Sequence, residues 1–317
     1  MILVAGENLV DLLPTEAGAD GEPRFAARPG GSPYNCARAL GRLGARVGYL
    51  TPISTDPMGD LLAAGLAEAG VRHLGGRSPR PAALALVTLA DGQPHYRFYR
   101  TGTADRDVTA ATLSAANFTE ARVLHMGSMA FLDGPDAEAL ADLFTDTARR
   151  GLVATLDPNI RPAALPACKE PAYRARLARL CAAATLIKLS DEDLAWLHPG
   201  LPLETAAMAL QAAHAPPLLV VTRGAAGVLA FAGARRLTLP AAPVARLADT
   251  VGAGDSFMAA LLASLDASGQ LSRAAIAALP EAELAAHLTR ATCAAALTCS
   301  RPGCDPPTKA ELDAACG

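Results

Sequence analysis

The sequence has 317 residues, of which 51% are hydrophobic, and a mean hydropathy of +0.23, so it can build a large buried core. The formal net charge is −3 with a pI of about 6.1, and the basic residues are scattered, which argues against a nucleic-acid partner. Seven cysteines without C-x-x-C pairs favour free thiols in a cytoplasmic protein over disulfides or a cysteine metal site.

The chain opens on an apolar run, MILVAGENLVDLLP, that breaks at Gly6-Glu7. This break comes well before the roughly 18 apolar residues that a membrane span needs, and no charged region precedes the run. The segment 2–5 is therefore predicted to be a first strand. We expect neither a signal peptide nor a membrane partner.

Strand-like and helix-like segments then alternate along the chain. Further short Val- and Leu-rich runs predict strands at 46–50, 122–126, 152–157, 185–189 and 217–222. Ala- and Leu-rich segments predict helices at 32–44, 58–70 and 135–151, closed by Gly44, Gly70 and Gly151. This alternation predicts one three-layer α/β domain over residues 1–317, with a mostly parallel sheet between two helical layers.

Two segments break the alternation. Residues 9–28 and about 72–104 are sheet-like, and the turn Ala90-Asp91-Gly92-Gln93 carries the Asp-Gly signal of a β-hairpin. Neither segment has room for a crossover helix, so both are predicted to form a small sheet that serves as a lid. The alternative is an ordinary antiparallel extension of the main sheet.

The C-terminal part predicts a hairpin at 227–240, helices around 254–266, 271–279 and 281–298, and a last helix after the turn SRPGCDPP. The helix at 254–266 begins at the motif VGAGDSF. Its apolar residues cover more than one face, which predicts a buried helix with a fixed N-terminus.

The VGAGDSF motif predicts a site for negative charge. Gly252 and Gly254 allow the backbone to approach a ligand, and the first amides of the helix have no intrahelical acceptors. Asp255 beside such an anion hole can accept a proton from a hydroxyl while a phosphoryl group is transferred. The alternative is an ordinary acid at a helix N-terminus. Neither a Walker A motif, nor GxSxG, nor a Rossmann fingerprint occurs in the sequence.

Two motifs at opposite ends of the chain carry a family resemblance. DTVGAGDSFMAALL (249–262) and PGGSPYNCARALGRLG (29–44) closely resemble the two signatures of the PfkB, or ribokinase-like, carbohydrate kinases. GENLVDLLP (6–14) and DPNIRP (157–162) resemble the fructokinase branch. The resemblance implies a ribokinase-like fold and transfer of the γ-phosphoryl group of MgATP to a sugar hydroxyl, with fructose as the favoured substrate.

The resemblance also implies roles for residues on the sugar side. Asp255 would be the general base, with an anion hole formed by the amides of Gly252, Ala253 and Gly254. Sugar contacts are implied for Asp11, Gly30, Gly31, Asn35, Tyr99, Arg100 and Arg161. The two arginines suit a sugar oxygen, a carboxylate or a phosphate equally well, so they leave the substrate open.

On the nucleotide side, the resemblance implies ATP contacts for Asn159, Lys188, Thr222, Gly224, Gly227 and Ser300. The family often has an Asn-x-x-Glu segment near Mg²⁺, where this chain has Ser190-Asp191-Glu192-Asp193. Glu192 or Asp193 would then serve Mg²⁺, although a helix N-cap role for Ser190 is equally consistent with the sequence. Many relatives also bind a monovalent cation near the anion hole, which would place Asp249 beside K⁺.

Several alternatives stay open from the sequence. A kinase for 2-keto-3-deoxygluconate, ribose or a nucleoside would share both signatures. The intact GAGD motif argues against a catalytically idle regulator, because a protein that only binds sugar or nucleotide needs no base. A dehydrogenase is disfavoured by the missing dinucleotide fingerprint. A homodimer formed through the lid also stays open.

Overall fold

The computed structural model describes residues 1–16, 22–90, 93–114, 118 and 120–316. Its strands are β1 (Ile2–Ala5), β2 (Leu9–Pro14), β3 (Phe25–Gly30), β4 (Val47–Tyr49), β5 (Ile53–Ser54), β6 (Arg72–His73), β7 (Arg77–Ser78), β8 (Ala83–Ala90), β9 (Gln93–Tyr99), β10 (Val123–Gly127), β11 (Val153–Asp157), β12 (Leu186–Ser190), β13 (Leu218–Thr222), β14 (Val228–Ala232) and β15 (Arg235–Leu239). All six strand runs expected in the α/β alternation are confirmed.

The α-helices lie mostly between these strands. They are α1 (Ser32–Arg42), α2 (Pro57–Glu68), α3 (Ala110–Ser114), α4 (Gly134–Arg149), α5 (Glu170–Ala183), α6 (Asp191–Leu197), α7 (Leu203–His214), α8 (Ala253–Ala267), α9 (Arg273–Ala278), α10 (Glu281–Cys299) and α11 (Lys309–Cys316). Gly44, Gly70 and Gly151, which follow α1, α2 and α4, have φ angles of 84°, 72° and 79°. They adopt the left-handed conformation expected of glycines that end helices.

A nine-stranded sheet forms the middle layer, in the order β15-β14-β13-β12-β11-β10-β1-β4-β6. The strands from β13 to β6 in this order are parallel, and the predicted hairpin β14-β15 adds two antiparallel strands. Along β1, Ile2 and Val4 pack into one hydrophobic cluster, whereas Leu3 and Ala5 pack into the other. The sheet is therefore buried on both faces, and the three-layer α/β prediction is confirmed.

The predicted small sheet is present and separate, with the strand order β3-β2-β8-β9. Its expected boundary at residue 72 is wrong, because β6 pairs with β4 of the main sheet and β7 pairs with β5. These two-residue strands continue the main body before the chain enters the small sheet at β8. The central residues of the expected hairpin turn, 91–92, lie outside the described residues.

Helix α8 is largely buried and packs against both α1 and α10. Phe257, Leu261 and Leu265 are at most 2% exposed, and so are Met258 and Leu262. Burial on several faces fixes the N-terminus of α8 relative to the main sheet. Among the described residues, no helix has both the length and the apolar character needed to cross a membrane.

Candidate active site

Two cavities lie side by side at the carboxyl ends of the parallel strands, where ligands bind in open α/β sheets. Their volumes are about 680 Å³ and 460 Å³. The residues that line both are Asn159, Arg161, Lys188, Glu192, Thr250 and Gly254. The two cavities therefore meet at the N-terminus of α8, so that a molecule in one can react with a molecule in the other.

Asp255 lines the smaller cavity and not the larger one. Its side chain is nearly buried, and each carboxylate oxygen accepts one hydrogen bond from α1. Ser32 Oγ donates to Oδ1 over 2.6 Å, and Asn35 Nδ2 donates to Oδ2 over 3.0 Å. Burial raises the pKa of Asp255, and the Ser32 hydrogen bond is the largest opposing contribution. A fixed carboxylate with a raised pKa is a suitable base for a hydroxyl proton.

The sequence predicts an anion hole at the amides of residues 252–254, and these three amides differ in their hydrogen bonding. Among the described residues, the amides of Gly252 and Gly254 donate to no protein acceptor, whereas Ala253 N donates to Thr250 O over 3.3 Å. Gly252 has a φ of 76° as the N-cap residue of α8, and a Cβ there would overlap Cys304 Sγ. The amides available for an anion are therefore those of Gly252 and Gly254, because the Ala253 amide closes a turn.

Lys188 places a cation against the same junction. Its Nζ donates to Asp157 Oδ2 over 2.8 Å, and a Cβ on Gly254 would lie only 2.7 Å from it. Burial alone would lower the pKa of Lys188, but Asp157 outweighs this effect and the pKa is raised. Lys188 is therefore a buried, charged ammonium that lines both cavities.

On the sugar side, the structure brings Asp11, Gly31, Asn35 and Arg161 together around the smaller cavity. Gly30 is not among the lining residues. A Cβ on Gly30 would overlap Asp11 Oδ2, so this glycine leaves room for the Asp11 carboxylate instead of for a ligand. Burial raises the pKa of Asp11 to about 6, although Arg161 lowers it.

The expected roles of Tyr99 and Arg100 are wrong. Tyr99 is 50% exposed and lies under the guanidinium of Arg97, on the face of β9 opposite to the cavity. Arg100 is buried and donates to Asp105 Oδ2 over 2.8 Å and to Met129 O over 3.0 Å. Its guanidinium stabilises the fold through these two contacts and does not line the cavity.

Tyr96 and Phe98 line the cavity instead, with their rings stacked at a centroid distance of 6.1 Å. Neither residue is predicted from the sequence. Strand alternation could have found them, because residues 96 and 98 share a face and residues 97 and 99 share the other. The small sheet thus gives the cavity an aromatic wall in addition to the Asp11 carboxylate.

On the nucleotide side, Thr222, Gly224, Gly227, Asn159 and Lys188 all line the larger cavity, as the resemblance implies. Ser300 does not: its hydroxyl is exposed and donates to Leu297 O over 2.7 Å. Helix α10 lines the cavity with Thr292, Ala295, Ala296 and Cys299. These residues follow helical spacing on one face, whereas Ser300 comes after the last residue of the helix and bonds back to it.

Two of the three acids expected at metal sites, Asp193 and Asp249, accept hydrogen bonds from backbone amides. Asp193 accepts from Ile160 N over 2.6 Å and from Ser190 N over 3.0 Å, which completes a capping box with Ser190 at the start of α6. Asp249 accepts from Val251 N and Gly303 N, so it ties the segment before α8 to the turn after α10. Neither arrangement supports a direct metal contact. Glu192 is exposed and lines both cavities.

Comparison with known proteins agrees with this geometry. A family model described as pfkB family carbohydrate kinase matches residues 1–311. The chain belongs to this family. A fructokinase of Rhizobium leguminosarum bv. trifolii is 38% identical over 286 residues, which cover 90% of this chain and 85% of that protein. Fructokinase-1 of Oryza sativa subsp. japonica is 33% identical over 267 residues, with 83% and 82% covered.

Fructokinases are also among the solved structures that resemble this chain. The crystal structure of a fructokinase with bound ATP from Xylella fastidiosa superposes with a TM-score of 0.90 at 28% identity, covering 99% of this chain and 97% of that one. A fructokinase from Vibrio cholerae O395 has the same fold, with a TM-score of 0.84 at 24% identity and 100% and 98% covered. This pfkB-family member is a sugar kinase, a phosphotransferase that acts on an alcohol group.

The raised pKa of Asp11 gives the kinase an expected pH dependence. The sugar KM should rise as the pH falls below about 6, since a protonated Asp11 is a poorer acceptor for sugar hydroxyls. Asp11→Asn should raise the sugar KM by roughly 10- to 100-fold, the range for losing a hydrogen bond to a charged group, and should remove its variation between about pH 5 and 7. Initial rates over this pH range check both statements.

The raised pKa of Asp11 should also make the stability of the fold depend on pH. The ionised carboxylate, which favours sugar binding, should disfavour folding. Because the folded-state pKa is raised from 3.8 to about 6, the contribution of Asp11 to stability is fully present below pH 3.8 and is lost as the pH rises through about 6. Asp11→Asn should therefore melt at a higher temperature than the native protein at pH 8, and not at pH 4. A lower melting temperature at pH 8 would mean that Asp11 contributes to the fold instead of being kept for a ligand.

The two arginines of the sugar prediction should respond in opposite ways. Arg100→Met should lower the free energy of unfolding by about 3–5 kcal/mol, because it leaves Asp105 buried without its partner. Arg161→Met should leave the melting temperature unchanged but raise the sugar KM by roughly tenfold, the value of about one hydrogen bond to a charged group. Thermal melts and sugar titrations separate the two. Equal loss of stability in both variants would contradict the assignment.

Proposed function

We propose that this kinase phosphorylates fructose, with ATP as the phosphoryl donor and Asp255 as the base. The observation that carries the proposal is the junction at Gly254, where the two cavities meet between Asp255 and Lys188. Support for fructose comes from the curated relatives named fructokinase. Support for ATP comes from the Xylella fastidiosa fructokinase, whose structure contains it.

In the proposed reaction, the sugar lies in the smaller cavity, against Gly31 and between Asp11 and the aromatic wall. Its reacting hydroxyl donates to Asp255, which takes the proton as the oxygen bonds to the γ-phosphorus and the bond to ADP breaks. The amides of Gly252 and Gly254 and the ammonium of Lys188 stabilise the negative charge on the transferred group. This charge develops at the junction, where these donors are already fixed in place.

We further propose Mg²⁺ as the ion that accompanies ATP and neutralises phosphate charge. Within the part of the chain that the structure describes, no three His, Cys, Asp or Glu side chains form a metal site. This fits Mg²⁺, which usually keeps several waters and binds through phosphates and one or two carboxylates. Glu192, exposed between the two cavities, is the residue that would hold it.

The small sheet is proposed to act as a lid. Asp11 on β2 and Tyr96 and Phe98 on β9 line the sugar cavity, so movement of this sheet would open or close it. Closure would exclude water, the competing acceptor for the phosphoryl group. ATP hydrolysis without sugar should therefore increase in Phe98→Ala, and an unchanged rate would count against the lid.

A homodimer through the small sheet is a separate proposal. Phe25 is 44% exposed and Tyr99 is 50% exposed on this sheet, which supports an apolar contact with a second copy. Sedimentation of the native protein and of Phe25→Ser/Tyr99→Ser would test it. A dimer that becomes a monomer in the double variant supports the proposal, whereas a native monomer contradicts it.

A second candidate substrate is an acid sugar such as 2-keto-3-deoxygluconate. Among the described residues, the Arg161 side chain has no hydrogen bond or ion pair, so it is free to bind a carboxylate. An ADP-release assay across fructose, ribose, 2-keto-3-deoxygluconate, adenosine and fructose phosphates distinguishes the candidates. The highest kcat/KM should be found with fructose, and a higher value with any other acceptor would replace it.

A further inference from the structure

The first turn of α1 holds the carboxylate of Asp255 through a residue that the family signatures do not assign. Ser32 is the first residue of this helix, and its Oγ lies 2.6 Å from Asp255 Oδ1. We propose that Ser32 is a positioning residue for the phosphoryl transfer, which keeps Asp255 ionised and directs its free lone pairs at the sugar hydroxyl. This inference rests on the proposed function, because it assigns Ser32 a task only if Asp255 is the base.

The surroundings of Asp255 explain why such a residue is needed. The polar and titratable groups that face it are Ser32, Asn35, Cys36, Asp157, Lys188 and Cys304. Burial favours the protonated carboxyl group, and Asp157 adds to this effect. Ser32 opposes it more strongly than Lys188 or Asn35 does. Without the hydroxyl, more of the enzyme would carry a protonated Asp255, which cannot accept a proton.

The backbone of Ser32 is fixed as well. The N-cap residue of α1 is Gly31, which has no side chain to accept the first helical amides. The Glu7 carboxylate replaces a cap, since its Oε1 accepts from Ser32 N over 3.3 Å. Glu7 is 1% exposed, and its Oε2 has no hydrogen-bond donor among the described residues. Ser32 is thus held at its amide by Glu7 and at its hydroxyl by Asp255.

The test compares Ser32→Ala with Ser32→Thr, which restores the hydroxyl. Alanine is well tolerated in a helix and fills no extra space, so Ser32→Ala should fold, with a melting temperature lowered slightly because a buried Asp255 oxygen loses its donor. Its kcat should fall about 10-fold, as expected for one hydrogen bond to a charged group, with the KM values for fructose and ATP within about twofold of native. The acid limb of its kcat profile should move to higher pH, and Ser32→Thr should return both kcat and the position of this limb to near native.

Each result has one meaning. An unchanged kcat in Ser32→Ala overturns the inference, and so does a reduced kcat without a shift of the acid limb, which would indicate a structural role only. If Ser32→Thr is folded but resembles Ser32→Ala, the hydroxyl is not the cause and the inference is also wrong. Asp255→Asn, measured alongside, tests the proposed function separately: an active Asp255→Asn removes the base, whereas an inactive Asp255→Asn with native-like Ser32→Ala removes only the Ser32 assignment.

Discussion

Asp255→Asn should lower kcat by about 10³- to 10⁴-fold while the dissociation constant for ATP stays within about twofold, because asparagine keeps the shape of the side chain but cannot take a proton. The effect should be this large because the buried Asp255 carboxylate lies beside the junction of the two cavities and is held there by Ser32 and Asn35. Steady-state rates and ATP titrations measure the two quantities.

Asp266→Asn is the matched control for this substitution. Asp266 lies near the other end of the same helix and forms a surface ion pair with Arg122, with N and O separated by 2.8 Å. Such exposed pairs contribute about 0–1 kcal/mol, so this variant should keep native activity and nearly native stability. Native-like turnover in Asp255→Asn, or an equal loss in Asp266→Asn, would contradict a base at position 255.

Lys188→Met should have the second largest effect and should act on both stability and activity. Removing the ammonium leaves Asp157 as an unpaired buried carboxylate, which should lower the free energy of unfolding by about 3–5 kcal/mol. The transferred phosphoryl group also loses a cation, so kcat should fall by about 10²- to 10³-fold, as when one donor of an oxyanion hole is removed.

The double variant Asp157→Asn/Lys188→Met separates these two effects. It removes the uncompensated charge, so urea unfolding should show that most of the lost stability returns. Its kcat should stay low, because no cation is restored at the junction. Recovery of native kcat together with stability would mean that Lys188 acts only as the partner of Asp157 and not on the phosphoryl group.

The fold could be predicted largely from the sequence, because local patterns carry it. The strand runs, the alternation with Ala- and Leu-rich helices and the glycines that end α1, α2 and α4 all lie within single elements. The boundary of the small sheet could not be placed in the same way. Strands β6 and β7 have two residues each, too short for a periodic pattern, and their pairing with β4 and β5 depends on the tertiary structure.

The same distinction applies to the site. Residues placed by local motifs could be predicted, whereas residues whose partners are set by the tertiary structure could not. The motifs place Gly31, Asn35 and Asp255 at the starts of α1 and α8, where the structure has them, whereas Lys188 lies in the middle of β12. The sequence wrongly predicts Tyr99 and Arg100 at the cavity. Residue type alone does not show which face of β9 a side chain is on, nor that Arg100 pairs with Asp105. Likewise, Asp193 has the right charge for a metal, but its position at the start of α6 commits it to a capping box.

The central claim is that the sugar hydroxyl and the γ-phosphate meet at the N-terminus of α8. The most direct measurement is a crystal structure of the protein with fructose and a non-hydrolysable ATP analogue. We expect one sugar hydroxyl within hydrogen-bond distance of an Asp255 oxygen, and the γ-phosphate on the Gly254 amide and Lys188 Nζ. A sugar bound outside the smaller cavity, or a γ-phosphate that does not reach Gly254, would contradict the account.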